Sequence, residues 1–361
     1  MNFDNMTVLA EVKAPANIKI GGEHSVVYGG PSLSAAVELY ATSTVEDNDD
    51  GTLKINLPDL GKNGSYSSEE LKKLYVDFSA RDKSPPKTGS ENRTGIREYI
   101  VKHADVNKEF LPYVTIASRL HFNYGIDVLG KTITVHSDVP RQSGYASSAV
   151  CSASLAMALV KTSKIRMSDQ DAIDLIRDGE RVQHAAEGSG RIDVGPAYFG
   201  GYVQFYKDET LPLDTVTSTK FVVFDTGPKP ATSEMVGKVR EFYNKETDHV
   251  SKILKNIDDC VVSDISALRA GDLKTLGESM TRNHELLRDL GVSSEGLDAA
   301  VSVATSNGAL GAKMCGGGGG GIGIALVEDN ASATTVINAL REQGFKAYVT
   351  ALSKVGAKMY I

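Results

Sequence analysis

Six consecutive glycines, Gly316–Gly321, lie in the last fifth of the chain and restrict how that region can fold. An ordered run of this kind costs about 0.5–1 kcal/mol per residue relative to alanine. Flexible linkers are the alternative, but they normally contain serine and separate polar segments, whereas this run lies between the apolar Met314 and Ile322. We therefore predict a tightly packed loop whose backbone faces a ligand, because only glycine permits so close an approach.

Length and composition indicate a large globular protein. The 361 residues exceed the size at which one hydrophobic core stops growing, so we expect two domains, or one large α/β unit with a second lobe. A net charge of −7 gives no electrostatic basis for nucleic-acid or membrane binding. No stretch approaches the roughly 18 apolar residues of a membrane span, and the N-terminus does not resemble a signal peptide. We expect a cytoplasmic protein with no nucleic-acid or membrane partner, whose three cysteines are buried small side chains.

A second loop, Gly144–Ser148, follows a predicted strand over 131–139 and precedes a predicted buried helix over 149–160. A helix N-terminus presents unpaired N–H groups and a partial positive charge, which suit a polyphosphate. Ser147 and Ser148 could simply cap the helix, and capping is the commoner role. A hydroxyl there could also bind the Mg²⁺ that accompanies ATP. The candidate nucleotide-binding residues are therefore Gly144, Tyr145, Ala146, Ser147 and Ser148.

Two carboxylates flank a further glycine-rich segment. Asp193 is predicted to lie in a turn between a helix over 168–187 and a strand over 198–206. Such an aspartate is often only a turn former, but with a cation beside it, it could act as general base on a substrate hydroxyl. Glu180, in the preceding helix, is either a solvated helix position or a magnesium carboxylate.

The rest of the chain divides into two parts. We predict one or two strands over 8–20. Glu23 and His24 follow in a glycine-bounded turn that could hold a polar substrate, although such a pair is usually structural. The polar segment 48–93 is predicted to be a solvated insertion with one short helix. We place an N-terminal domain at 1–210 and a C-terminal domain at 211–361. The second domain is predicted to be an α+β sandwich ending in a strand, a helix and two strands, over 322–327, 332–343, 346–352 and 358–361.

Together these segments resemble the GHMP family of small-molecule kinases, in the form that mevalonate kinases have. The sequence GEHSVVYG from Gly22 is similar to the family's first motif, GEHAVVYG. GYASSA from Gly144 resembles the phosphate-binding motif PxGxGLGSSA, and Gly311–Gly321 resembles the third motif, GAKLTGAGGGG. NHELL from Asn283 is similar to the run NHxLLxxLGVS. The resemblance spans nearly the whole chain and is weakest over 46–112.

The resemblance implies a two-lobed α+β fold: a lobe like domain 2 of ribosomal protein S5, then a ferredoxin-like lobe, with ATP, Mg²⁺ and substrate between them. It implies phosphorylation of mevalonate, or a similar small molecule, at its 5-hydroxyl in isoprenoid biosynthesis. Asp193 would be the catalytic base, and Glu180 with Ser147 or Ser148 would bind Mg²⁺. A homodimer is a family-level expectation. The residues implied to contact the acceptor are Glu23, His24, Gly316, Gly317 and Gly318.

The chain departs from the family pattern at three places, one of which is the spacing between Glu180 and Asp193, longer by two residues than in mevalonate kinases. The first motif, APGKVxLFGEH, normally has a lysine that pairs with the catalytic aspartate, but the matching residue here is Asn17. Lys19 lies two residues on, and residues two apart on a strand share a face, so Lys19 is the candidate partner of Asp193. Tyr145 and Ala146 replace the usual Leu-Gly, and the tyrosine could stack on or crowd the nucleotide. These departures leave open phosphorylation at the 3-hydroxyl, another acceptor such as phosphomevalonate, and a non-catalytic ATP- or metabolite-binding sensor.

Overall fold

The predicted first strand is present as β1 (Val8–Gly21) in the computed structural model, which describes residues 8–81, 93–139, 145–184, 191–216 and 218–361. An alternating pattern of this kind is typical of a strand with one face on the core. β1 pairs along most of its length with the antiparallel β2 (Ser32–Asp47). Its fully buried, alternating apolar residues are Val12, Ala14, Ala16, Ile18 and Ile20.

The first lobe is built on a mixed sheet. Its strand order is β4-β3-β5-β2-β6-β7, with β1 attached to β2. β3 and β5 are parallel, and the other pairs are antiparallel. The remaining strands are β3 (Leu53–Leu57), β4 (Lys62–Tyr66), β5 (Lys131–Ser137), β6 (Tyr202–Tyr206) and β7 (Glu209–Leu213).

The helices of the first lobe pack around this sheet. One of them, α4, is buried at every position from 149 to 160, which confirms the predicted buried helix. A helix that is apolar on all sides belongs in a core, and α4 packs against β1 and β2. These helices are α1 (Ser68–Arg81), α2 (Arg93–Lys102), α3 (Leu111–Tyr124), α4 (Ser147–Lys161), α5 (Asp169–Gln183) and α6 (Arg191–Phe199).

The prediction of a solvated insertion over 48–93 is wrong for much of that segment. Residues 53–66 form the hairpin β3–β4 at the edge of the sheet, and α1 follows. Leu53, Ile55 and Leu57 alternate with polar residues, so only one face is apolar and it is buried. The segment is polar in overall composition, and this concealed the alternation of apolar and polar residues that indicates a strand. Residues 82–92 lie outside the described residues.

The second lobe is an antiparallel sheet with helices, as the α+β prediction requires. Its strand order is β11-β8-β10-β9. Gly271 and Gly291 each follow the end of a helix with positive φ, 73° and 78°. The elements are β8 (Lys220–Asp225), α7 (Thr232–Lys245), α8 (Thr247–Ala270), α9 (Leu273–Asp289), α10 (Glu295–Ser306), β9 (Gly311–Met314), β10 (Ile322–Val327), α11 (Asn330–Glu342) and β11 (Lys346–Ala351).

The end of the chain returns to the first lobe. The predicted strand over 358–361 is wrong, because Ala357–Tyr360 forms a 3₁₀ turn. Just before it, the amide of Ser353 donates to the carbonyl of Ala36 at 2.9 Å, and the amide of Gly201 donates to the carbonyl of Ser353 at 2.7 Å. This segment therefore binds the two lobes together. Across the described ranges, no helix is long and apolar enough to span a membrane.

Candidate active site

Asp193 and Lys19 form an ion pair, although 174 positions separate them in the sequence. Lys19 and Asn17 share a face of β1. The Lys19 ammonium donates to the Asp193 carboxylate and, at 2.5 Å, to the amide oxygen of Asn17. The Asn17 amide nitrogen in turn donates to the backbone carbonyl of Asp193 at 3.1 Å. Asn17 and Lys19 together thus hold the aspartate from one strand.

The local structure around Asp193 differs from the predicted turn. Asp193 lies in the first turn of α6, despite Gly195 and Pro196 in that helix. A carboxylate is favoured at a helix N-terminus by the partial positive charge of the unpaired N–H groups. The predicted strand over 198–206 is accordingly too long: Tyr198 ends in α6, and β6 begins only at Tyr202.

Ser148 and Glu180 meet where α4 begins and α5 ends. The Ser148 hydroxyl donates to Oε2 of Glu180 at 2.9 Å. Glu180 is only 3% exposed, so its interpretation as a solvated position is wrong. Burial raises the pKa of its carboxyl, and its Oε1 makes no hydrogen bond within the described ranges. A hydroxyl and a carboxylate oxygen are hard donors that suit Mg²⁺, so these residues fit a magnesium site.

His184 lies beside Ser148 and Glu180, and it was not predicted from the sequence as a site residue. Its Nε2 lies 3.2 Å from the Ser148 hydroxyl and 3.5 Å from Oε2 of Glu180. The hydrogen bond to Glu180 raises the pKa of the imidazole. The spacing could have indicated it, because His184 follows Glu180 by four residues and therefore lies on the same helix face.

The start of α4 offers backbone donors for phosphate. The first hydrogen bond of the helix runs from the Val150 amide to the Ala146 carbonyl at 3.1 Å. The amides of residues 147–149 come before it and have no acceptor within the helix. Ser147 and Ser148 do not cap the helix: the N-cap is Ala146, which has no side-chain cap. Gly144 lies outside the described residues.

The Tyr145 side chain is buried between the two lobes. Its side chain is 1% exposed, and its hydroxyl is hydrogen-bonded to that of Tyr348 in the second lobe. Burial raises the pKa of Tyr145. The ring therefore has no free face on which a nucleotide could stack, and its hydroxyl instead joins the segment before α4 to β11.

Ala146 adopts a left-handed backbone, with φ of 58°. This region disfavours a side chain by about 1–2 kcal/mol. We expect Ala146→Gly to stabilise the protein by about 0.5–1 kcal/mol, measured by urea unfolding. Ala153→Gly, inside α4, is the matched control and should destabilise it by a similar amount. Equal destabilisation by both variants would contradict the strain at Ala146.

The glycine run is packed, as predicted. Gly318 has φ of 84°, and a Cβ added there would lie 2.1 Å from the carbonyl oxygen of Val292. A Cβ on Gly320 would meet the carbonyl of Pro228 at 2.5 Å. Only glycine fits these positions, so the run is an ordered loop and not a linker.

The turn containing Glu23 and His24 contacts this second-lobe loop. The His24 Nε2–H donates to the carbonyl of Gly317 at 3.0 Å, and burial lowers the pKa of the imidazole. The Glu23 carboxylate pairs with Lys313, and both side chains are buried. Gly316 and Gly318 flank the contact with positive φ. The candidate acceptor residues are thus brought together from both lobes, although Lys313 was not among them.

Asp264, on α8, is a second buried carboxyl beside this pair. It is fully buried, and neither carboxylate oxygen makes a hydrogen bond in the described part of the chain. Glu23 and Lys313 act on it electrostatically, and the nearby Ser279 hydroxyl donates to the carbonyl of Cys260 at 3.2 Å. Burial raises the pKa of Asp264 to about 7.

This raised pKa predicts how stability depends on pH. The folded protein keeps the Asp264 proton up to about pH 7, whereas the unfolded chain releases it near pH 4, so stability falls as pH rises between them. Between pH 5 and pH 8 we expect wild type to lose on the order of 2 kcal/mol more than Asp264→Asn, measured by urea unfolding. Asp259→Asn, at an exposed position of the same helix, should behave like wild type. Parallel pH profiles for wild type and Asp264→Asn would contradict the shift.

A helix N-terminus with backbone amides before its first hydrogen bond, a hydroxyl bonded to a buried carboxylate, and an aspartate paired with a lysine are the features of an ATP-dependent kinase for small molecules. Residues 112–201 match the family model for the GHMP kinases N terminal domain, and residues 264–346 match that for GHMP kinases C terminal. The mevalonate kinase of Thermococcus sibiricus is 31% identical over 98% of both chains, and that of Pyrococcus abyssi 30% over 98% of both. The chain belongs to the GHMP kinase family.

Solved structures show the same fold. The Methanococcus jannaschii mevalonate kinase matches with a TM-score of 0.75 at 21% identity, covering 97% of this chain and 99% of the other. The L. major mevalonate kinase, solved in complex with R-mevalonate, matches with a TM-score of 0.72 at 20% identity, covering 98% and 100%. The two-lobed α+β fold expected from the motifs is thereby confirmed.

Proposed function

We propose that this protein transfers the terminal phosphate of ATP to the 5-hydroxyl of mevalonate. Relatives of nearly equal length have the name mevalonate kinase, and one solved structure of this fold contains R-mevalonate. The observation that carries the proposal is the contact of Lys19 with Asp193, because it supplies a cation that this chain lacks at Asn17, where the family's first motif normally has lysine.

Asp193 acts as the base in this proposal. Its carboxylate accepts the proton of the acceptor hydroxyl as that oxygen attacks the terminal phosphorus. Lys19 holds the carboxylate in place from β1, and Asn17 holds its backbone. Positioning of this kind provides much of the catalysis in phosphoryl transfer, since little covalent chemistry falls to the protein.

The nucleotide lies at the start of α4 in this proposal. The amides of residues 147–149 donate to its phosphate oxygens, and the helix N-terminus favours their charge. Ser148 and Glu180, with Ser147 adjacent, hold Mg²⁺. When bound, Mg²⁺ neutralises the charge that develops on the phosphoryl oxygens.

The metal site has a direct test. We expect Glu180→Gln to raise the Mg²⁺ concentration for half-maximal activity at least tenfold, because the amide cannot supply the anionic oxygen beside Ser148. A magnesium titration at fixed ATP measures this. Glu278→Gln, at an exposed position of α9, is the control and should leave the requirement unchanged. An unchanged requirement in Glu180→Gln would remove Glu180 from the metal site.

The acceptor lies between the lobes, near Glu23, His24 and the glycines 316–318. An ADP-release assay over mevalonate, phosphomevalonate, galactose and homoserine separates the alternatives. We expect turnover with mevalonate alone. Faster turnover with another acceptor would replace the proposed substrate, and binding without turnover would indicate a sensor.

We also propose a cytoplasmic location. Cys151, Cys260 and Cys315 are all buried free thiols, which supports a reducing compartment.

A further inference from the structure

Lys313, on β9, is a fully buried cation where the two lobes meet. Its ammonium donates to the Glu23 carboxylate, to the Met314 carbonyl at 2.7 Å and to the Lys19 carbonyl at 3.4 Å. These three acceptors match its three N–H donors. A lysine is rarely buried without such partners. Lys313 therefore ties the second lobe to Glu23 and to Lys19, both of which the proposed reaction uses.

One carboxylate oxygen of Glu23 has no hydrogen-bond partner among the described residues. Its Oε1 is taken by Lys313, whereas its Oε2 is buried and makes no hydrogen bond among the residues the structure describes. The backbone fixes this side chain in a tight turn, because Gly22 and His24 on either side have φ of 90° and 63°. A buried oxygen without a partner needs an explanation, and a ligand hydroxyl is one.

The same strand also holds the backbone of Lys19. The Lys19 carbonyl accepts from Lys313, and the Lys19 amide donates to the sulfur of Cys315 at 3.1 Å. Both polar backbone groups of Lys19 are thus bound by residues 313–315 of the other lobe. Residues 313–315 therefore fix the positions of the Glu23 carboxylate and of Lys19.

We propose that Lys313 is a positioning residue for the acceptor. It holds Glu23 by one carboxylate oxygen and leaves the other to accept a hydrogen bond from a hydroxyl of the substrate. This inference rests on the proposed function, in which Glu23 faces the acceptor. Lys313 is itself fully buried, so its removal acts on acceptor binding through Glu23.

The test is a double-mutant cycle measured by steady-state kinetics with mevalonate and ATP. We expect Lys313→Met to raise the KM for mevalonate at least tenfold and to leave the KM for ATP within twofold. In the Glu23→Gln background, the same substitution should add less than a twofold change, because its target is already lost. Lys313→Arg, which keeps the charge, should recover part of the effect. Lys274→Met, at an exposed and ion-paired position of α9, is the matched control and should equal wild type.

Folding is checked by circular dichroism. Lys313→Met leaves a lone buried carboxylate and is the variant most at risk of unfolding. If Lys313→Met unfolds, the comparison of Glu23→Gln with Glu23→Gln/Lys313→Met decides the question, since neither variant contains the Glu23 carboxylate. A tenfold difference between those two, or equal rises in both KM values in folded Lys313→Met, would overturn the proposal. Wild type that does not turn over mevalonate would instead refute the proposed function.

Discussion

Asp193→Asn is expected to lower kcat by about a thousandfold, because asparagine keeps the shape of the side chain but cannot take the proton of the acceptor hydroxyl. Lys19 then also lacks its anionic partner. Nucleotide binding should change less than twofold, since the start of α4 and Glu180 are untouched. Steady-state kinetics gives the first quantity, and titration with a fluorescent ATP analogue gives the second.

The control for this substitution is Asp289→Asn, at the exposed end of α9. It makes the same chemical change at an exposed position of the second lobe and should leave kcat unchanged. If Asp193→Asn kept a tenth or more of the wild-type kcat, Asp193 would not be the base.

Lys19→Met is expected to lower kcat about a hundredfold. The substitution keeps the length of the side chain but removes the charge that fixes the Asp193 carboxylate. Asn17 is close enough to test this placement, because it already contacts both Lys19 and the Asp193 backbone. Adding Asn17→Lys to Lys19→Met should recover at least tenfold in kcat, as measured by ADP release.

Lys13→Met is the matched control, since Lys13 is an exposed residue on the same strand and face. Its kcat should equal that of wild type. Near-normal kcat in Lys19→Met, or no recovery on adding Asn17→Lys, would show that the family lysine has not been replaced by Lys19.

The local pattern of apolar and polar residues was enough to predict several of the elements around the site. Alternation predicted β1 and, with it, the shared face of Asn17 and Lys19. The apolar run over 149–160 predicted α4, and the apolar flanks of the glycine run predicted a packed loop. In each case the signal is a period or a steric demand within about fifteen residues, which is the range over which sequence directly controls conformation.

Other features depend on contacts that sequence order hides. α6 forms although Gly195 and Pro196 are poor helix formers, because packing against the sheet overrides propensity. Glu23 and Lys313 are 290 positions apart, so nothing local marks them as partners. Asp264 lies in an ordinary amphipathic helix, and its burial follows only from how the lobes meet. Motif order could indicate the function, but not these contacts.

Product analysis tests the central claim most directly. Mevalonate and ATP are incubated with the protein, and the phosphorylated product is examined by ³¹P NMR. The account predicts one new monophosphate signal, coupled to the two protons of carbon 5. A signal without that coupling, as expected for a phosphate on the 3-oxygen, or the absence of any phosphorylated product, would contradict it.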